Sequence, residues 1–413
     1  MPRSDVIVVG AGPAGMVAAK TVAEKGISVT IFEEHSEVGT PTHCTGHVSL
    51  KGLRRLGLDL PKNVIENKIT SAIFHSPSGF SFSMSYSTPV TYVLNRQLFD
   101  QTLLRSAMKA GAEISTGVSV TSFLKKNSQV VGVSLKGEEK RVSQVVIDDE
   151  GVSSTLLKRA GFETLDPSKT VNAIQAEVDG IQNVDESTVE LFFGRKTAPG
   201  FYAWIVPLGD GIGKVGLAAA KGNPHDLLFR FINENSEAKH KLKRCSMRNL
   251  TGHPIPLSGG GIKSFYPGLL IVGDAASHVK PTTGGGIILG LTAAKIAGEI
   301  AAIAVKSEDS SARTLSHYER RWKKEIGFEL TVMNYLRRLF DSLGDKQYDA
   351  LFRYCRLLQL NETLKNEREL DFQGTMLFRA IKNPRTFLAL SYLFMTTLPA
   401  ILTSRGDVYR EDV

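Results

Sequence analysis

Cysteine is scarce in this chain: Cys44, Cys245 and Cys355 are the three thiols among 413 residues. An odd, sparse set excludes a disulfide framework and fits a reducing compartment. No Cys or His spacing matches a metal-ligand pattern, so no metal is expected. Internal repeats and low-complexity tracts are absent. So are nucleic-acid motifs and basic-aromatic arrays, which argues against a nucleic-acid partner despite the net charge of +8. That charge fits equally a surplus of solvated lysine, or attraction to anionic headgroups or phosphorylated substrates. The first apolar run begins at Val6, leaving no room for a signal peptide, so a cytoplasmic location is expected. Phe387–Leu402 is almost wholly apolar, but Pro399 interrupts it and it is short for a membrane span.

What the chain has is hydrophobic residue at 42% and a length suited to two or three domains. Its clearest local signal is Gly10-Ala11-Gly12-Pro13-Ala14-Gly15 after Val6-Ile7-Val8-Val9. A buried strand, then G-x-G-x-x-G, then a helix is a phosphate cradle. Gly10 permits the tight turn, Gly12 lets backbone approach a diphosphate, and Gly15 lets helix and strand pack closely. The helix N-terminus adds free N–H groups and a positive dipole end. Met16 to Lys25 is Ala-rich and helix-compatible, Gly26 ends it, and Ile27 to Phe32 reads as the second strand. Glu33 stands where an acid accepts a ribose hydroxyl, with Glu34 beside it as an alternative.

A second turn lies far downstream. Leu269-Leu270-Ile271-Val272 leads into Gly273-Asp274-Ala275-Ala276, then Pro281 and Gly284, Gly285 and Gly286. Two such turns suggest one extended cofactor gripped from both ends, and FAD is the candidate. Asp274 is suited to accept from a ribityl or ribose hydroxyl, or to cap its own turn. Gly284 to Val305 reads as a long, buried helix. Its N-terminus, aimed at a flavin ring, would stabilise negative charge on the reduced ring. The alternative for the three glycines is a flexible loop.

Between the turns, Arg96 to Ala110 reads as a helix with an apolar stripe at Leu98, Phe99, Leu103 and Ala107. Glu113 to Asp148 reads as short strands, with turns at Gly117, Asn127-Ser128, Gly132 and Gly137. Alternation in residues 61–91 and 166–259 predicts antiparallel strands of an inserted domain. The expected fold class is α/β: a Rossmann-type cofactor domain (1–60, 92–165 and 260–305), an interleaved antiparallel β-sheet substrate domain (61–91 and 166–259) and a helical C-terminal region (306–413).

These residues resemble the geranylgeranyl reductase family, within the flavoproteins typified by para-hydroxybenzoate hydroxylase. The resemblance rests on five segments: Gly10 to Gly15; Pro41-Thr42-His43-Cys44-Thr45-Gly46 as P-x-x-C-x-G; Arg96-Gln97-Leu98-Phe99-Asp100 as R-x-x-F-D; Tyr202-Ala203-Trp204-Ile205-Val206-Pro207 as Y-x-W-x-F-P; and Gly273 to Gly286. It departs at Glu150-Gly151, where the group has Asp-Gly, at Val206 in place of Phe, and at Gly285 where Glu is common. The resemblance implies FAD bound by Gly10, Gly12, Ala14, Gly15, Glu33 or Glu34, Cys44, Thr45, Arg96, Val120, Gly273, Asp274, Pro281, Gly284, Gly285, Gly286 and Ile287. It also implies saturation of C=C bonds in geranylgeranyl chains of archaeal-type ether lipids, with a prenylated lipid or a prenyl diphosphate as substrate.

Alkene reduction needs a hydride, which reduced flavin can carry, and a proton, since an isolated C=C has no carbonyl to take up charge. A positioned acid contributes on the order of 10²–10⁴-fold. Cys44 is the candidate, with His43 and His47 as sequence neighbours; the alternative is a small buried hydrophobe. Tyr202 and Trp204 alternate along an expected strand and should face one side, with Pro207 nearby, as the wall of a prenyl tunnel; ordinary core packing is the other reading. His278 reads as a structural histidine. The apolar C-terminal stretch, with Arg320, Arg321, Lys323, Lys324, Arg337 and Arg338 upstream, suits either peripheral docking on an anionic bilayer or a core helix. The electron donor is NAD(P)H or a ferredoxin-like protein. Two other functions fit the same fold. One is an aromatic monooxygenase or halogenase, whose W-x-W-x-I-P segment shares the spacing of Tyr202 to Pro207. The other is a non-catalytic prenyl-binding escort, like the Rab GDP-dissociation inhibitors.

Overall fold

The computed structural model describes residues 4–365, 368–392 and 395. Its organising element is a six-stranded sheet in the order Phe265–Tyr266, Leu269–Ile271, Val145–Asp148, Val6–Val9, Val29–Glu33, Glu113–Thr116. All pairs are parallel except the first, Phe265–Tyr266 with Leu269–Ile271. Val6–Val9 is buried along its whole length, as a parallel strand covered on both faces must be. Val6 pairs with Val29 on one side and Val145 on the other, so these strands end level. Both glycine turns therefore leave the same carboxyl edge, where open α/β sheets bind ligands.

The helix after each turn packs on the other. Pro13–Ala23 follows the first turn with Pro13 at its opening. Ile287–Lys306 follows the second, with Gly286 as its N-cap. A Cβ on Gly298 would stand 2.6 Å from the Ala18 carbonyl oxygen, so glycine sets how closely the two helices approach. Ile287–Lys306 is also long and apolar enough to cross a membrane. Fourteen of its residues are buried, Leu289, Ala293 and Ala297 completely, which makes it the core helix of this layer.

A seven-stranded sheet runs Ser246–Pro256, Thr170–Asp179, Ile212–Ala219, Ala203–Gly209, Thr188–Phe192, Ser71–His75, Ser81–Ser85. The expected antiparallel pairing holds with one correction. Ser71–His75 and Thr188–Phe192 run parallel, Ser71 opposite Thr188. No hairpin joins these distant segments, so nothing local dictates their direction. A small sheet of His47–Ser49, Thr91–Leu94 and Ile65–Ile69 links the two layers and pairs strands across residues 91–92, an expected boundary. The Asn127-Ser128 turn joins Val120–Lys126 to Gln129–Leu135 with φ of 48° and 65°, as a tight hairpin requires.

Beyond residue 306 the described chain is helical: Ala312–Trp322, a π-type turn, then Phe328–Ser342, Asp345–Leu357 and shorter pieces. Trp322 and Tyr318 anchor this region to the sheet. Tyr318 Oη donates to the Ile271 carbonyl at 2.8 Å, and Trp322 Nε1 to Ser264 Oγ at 2.9 Å. Of the apolar stretch Phe387–Leu402, only residues 387–392 and 395 fall among those described.

Candidate cofactor and substrate site

The first turn has no room for side chains. Gly10 has φ +90°, and a Cβ there would meet the Asp149 carbonyl oxygen at 2.4 Å. A Cβ on Gly15 would meet the Gly10 carbonyl at 2.4 Å. Ala14 is buried at the start of the helix, 3.2 Å from where a Cβ on Gly273 would lie. Glu33 is buried and pins the turn. Its Oε2 accepts from the Ala11 N–H at 2.8 Å, while Oε1 accepts from the His35 N–H at 2.9 Å and pairs with His35 Nδ1 at 2.6 Å. Glu34 is exposed, so of the two acids it is Glu33 that lies at the turn.

Gly273, at φ +62°, opens the second turn, and a Cβ there would lie 2.6 Å from Asp149 Oδ1. The two glycine turns thus converge on one side chain, Asp149. Asp274 makes no side-chain hydrogen bond to the described residues and caps nothing, which leaves its oxygens free for a ligand hydroxyl. Burial raises its pKa, opposed by the Arg96 charge. The segment from Lys280 to Gly286 is an ordered turn rather than a loose loop. Gly284 N donates to the Lys280 carbonyl at 2.8 Å, and Lys280 N to the Gly285 carbonyl at 3.1 Å. Pro281 packs toward Gly259, and Ile287 begins the long helix. The C-terminal region braces this turn. Lys280 pairs with buried Asp371 at 2.9 Å, and Thr282 donates to Gln373 Oε1 at 2.6 Å.

The loop carrying Cys44 wraps the start of the Arg96–Lys109 helix, which Asn95 caps through the Leu98 N–H. Arg96 bonds Asp100 at 3.2 Å through two nitrogens. Burial disfavours the guanidinium charge, but Asp100 and the neighbouring Cys44 hold it, and the net shift is upward. Cys44 is half-buried and its sulfur accepts from the Gly46 N–H at 3.4 Å. Thr45 donates to Gln175 Oε1 at 2.6 Å, and Trp204 Nε1 donates to the same oxygen at 3.2 Å. Lys214, buried in the large sheet, reaches the Thr45 carbonyl at 3.2 Å and pairs with Glu66 at 2.6 Å.

Tyr202 lies just before the Ala203–Gly209 strand rather than inside it. Its rings stack with Phe201 at 4.4 Å and meet Trp204 edge-on at 6.0 Å, and its hydroxyl donates to the Thr283 carbonyl at 2.7 Å. Tyr202 and Trp204 therefore do share an apolar cluster, with Phe201 and Val206. Pro207 is not brought to them. It is buried opposite Gly213, and by alternation falls on the face of Ala203 and Ile205, which belong to a separate cluster. Val120 packs beside a cluster holding Phe32 and Val9, near the end of the second strand. His278 is fully buried against Trp322, ring centroids 4.8 Å apart, and burial lowers its pKa to about 3. His47 donates to or accepts from Thr91 Oγ1 at 2.6 Å; burial, then the Lys280 charge, lower its pKa to about 4.

Four residues of the site carried no expectation. Asp149 had a visible signal, three successive acids closing a strand. Gln175 and Lys214 had none. His253 stacks on His43 with centroids 4.9 Å apart, and burial lowers the pKa of both; nothing near it in sequence points to that.

The FAD binding domain family matches residues 3–325. A digeranylgeranylglycerophospholipid reductase of Methanothermobacter thermautotrophicus is 36% identical over 361 residues, covering 85% of this chain and 91% of that protein. The chain belongs to the digeranylgeranylglycerophospholipid reductase family. Among solved structures, a geranylgeranyl bacteriochlorophyll reductase-like protein from Thermoplasma acidophilum superposes with TM-score 0.83 at 26% identity, over 95% of this chain and all of that one. A flavin-dependent brominase shares the fold at TM-score 0.70 and 20% identity, over 90% of this chain and 94% of its own. A reductase of this family is an FAD-dependent oxidoreductase. The two turns fit that cofactor: the first helix opens on Gly12, which puts no side-chain cap on its N–H groups and so suits a diphosphate, and Asp274 in the second turn offers unbonded oxygens to a hydroxyl.

Proposed function

We propose that the protein saturates C=C bonds in the geranylgeranyl chains of archaeal-type ether lipids. The observation that carries this reading is the tie between the Cys44 loop and the aromatic wall: Thr45 and Trp204 meet on Gln175. The loop that carries the thiol is thereby tied to an apolar surface suited to a prenyl chain.

Bound FAD, once reduced, supplies the hydride. Cys44 gives the alkene its proton, so one hydride and one proton add across the double bond and a thiolate remains. The Arg96 guanidinium beside it compensates that charge until a proton returns from solvent. The N-terminus of Ile287–Lys306, which no side chain caps, would favour negative charge on a reduced cofactor held there.

The lipid comes from a membrane, and the helical C-terminal region supports docking there. Phe328, Tyr335, Leu357, Phe378, Phe387 and Leu388 are exposed, Leu357 at 76%. Arg338, Arg379 and Lys382 lie among them in sequence, and Arg320, Arg321 and Lys324 just before them. Peripheral contact with an anionic bilayer, from the cytoplasmic side, is the arrangement this suits. The electron donor is NAD(P)H or a ferredoxin-like protein.

The test is spectroscopic. Reduced protein, mixed without oxygen with a geranylgeranyl lipid, should regain the oxidised flavin spectrum as the alkene is consumed. A protein that reoxidises only with O₂ and hydroxylates an aromatic compound is a monooxygenase instead. A protein purified colourless is an escort.

A further inference from the structure

Asp149 lies between the two glycine turns, at the opening of the first helix. Its Oδ2 accepts the Gly15 N–H at 2.7 Å, one of the free N–H groups of the first helix. That oxygen lies 2.6 Å from where a Cβ on Gly12 would be, and Oδ1 lies 2.6 Å from the same point on Gly273. The carboxyl thus fills the space that glycine clears on both sides of the cradle. It follows Asp148, the last residue of its strand, whose fully buried carboxyl lies beside Glu150.

The surroundings decide its charge. From the second strand it faces Glu33, from the Arg96–Lys109 helix Asp100, from the second turn Asp274; Tyr318 faces it from the Ala312–Trp322 helix. Asp148 and Glu150 flank it in the chain. Arg96 is the cation of this group, already paired with Asp100. The N-terminal end of the first helix supplies the remaining positive field. Burial first, then these acids, push the Asp149 pKa well above the usual carboxylate range, against the Gly15 N–H that lowers it.

We propose that Asp149 makes the FAD grip proton-dependent: protonated, it donates to a diphosphate oxygen while its other oxygen keeps the Gly15 N–H, and ionised, it repels the diphosphate. The bound diphosphate raises the carboxyl's pKa further, so binding takes up a proton at pH values between that of the free protein and that of the complex. Affinity is highest below the free protein's value. It falls as pH rises, and levels off only above the pKa of the complex.

The experiment titrates FAD into the full-length apoprotein across about pH 6 to 9, following flavin fluorescence, with Asp149→Asn in parallel. The carboxamide keeps both the acceptor for Gly15 and a donor for the phosphate, without charge. The wild type should lose about tenfold in affinity per pH unit over part of that range, and the variant should bind tightly with no such slope. Calorimetry of the wild type in buffers of differing ionisation enthalpy provides a second reading that needs no variant: binding should take up a fraction of one proton. A flat wild-type profile with no proton exchange overturns the proposal. So does a folded Asp149→Asn protein that keeps the wild-type slope or binds FAD far more weakly.

Discussion

Thr45 and Trp204 donate to the same oxygen, Gln175 Oε1, at 2.6 and 3.2 Å. One amide therefore joins the loop that holds Cys44 to the aromatic face proposed for the prenyl chain. Removing that acceptor frees two donors at once. Gln175→Leu should keep FAD but lower turnover about tenfold or more, because a loop displaced by about an ångström misplaces its acid. Gln175→Glu retains the acceptor and should lose less. Flavin content and single-turnover rates check both.

Cys44→Ala should bind FAD and reduce by its donor normally, yet slow alkene reduction by on the order of 10²–10⁴-fold. Cys44→Ser should fall between. Equal single-turnover rates in Cys44→Ala and wild type would remove the thiol from the proton path.

The first turn was legible because all its parts are neighbours: strand, glycines, helix and Glu33 lie within thirty or so residues, and their spacing is set by one diphosphate. The second turn was legible for the same reason. The ordering of Lys280 to Gly286 was not, because it depends on Asp371 and Gln373, 91 residues away. Gln175 lies 130 residues from Thr45, and the sheet that holds Gln175 and Trp204 includes a parallel pair that no hairpin announces. Pro207 is near Trp204 in sequence, but three residues along a strand is the opposite face.

Gly15→Ala should bind FAD at least about tenfold more weakly, since a methyl 2.4 Å from the Gly10 carbonyl forces the cradle apart. Gly26→Ala is the contrast. Nothing lies within 4 Å of its Cβ position, but its φ of +73° makes the added side chain strained, so it should cost about 1 kcal/mol of stability and leave FAD affinity alone. Flavin absorbance per protein and thermal melts separate the two.

Asp148 is fully buried, and Glu150 stands beside it. Burial, then the Glu150 charge, raise its pKa well above that of the unfolded chain. Folding therefore favours the protonated form. The associated stability is complete below the unfolded pKa and is lost as pH rises toward the folded one. Asp148→Asn should stabilise the protein by about 1–3 kcal/mol at neutral pH, and flatten the decline on the alkaline side. Denaturant melts at two pH values measure it.

Docking on a bilayer predicts co-sedimentation with vesicles containing anionic phospholipid at low salt, weakening as ionic strength rises. Neutral vesicles should bind less. No binding to anionic vesicles at low salt removes the docking.

The central claim is that this flavoprotein adds hydrogen to isolated alkenes of a prenyl lipid. Its most direct test is the mass of a digeranylgeranyl glycerophospholipid after anaerobic incubation with the dithionite-reduced protein. The account predicts products heavier by one H₂ for each double bond reduced, absent when the protein is left out. An unchanged lipid mass, from protein that carries FAD and accepts electrons, contradicts it.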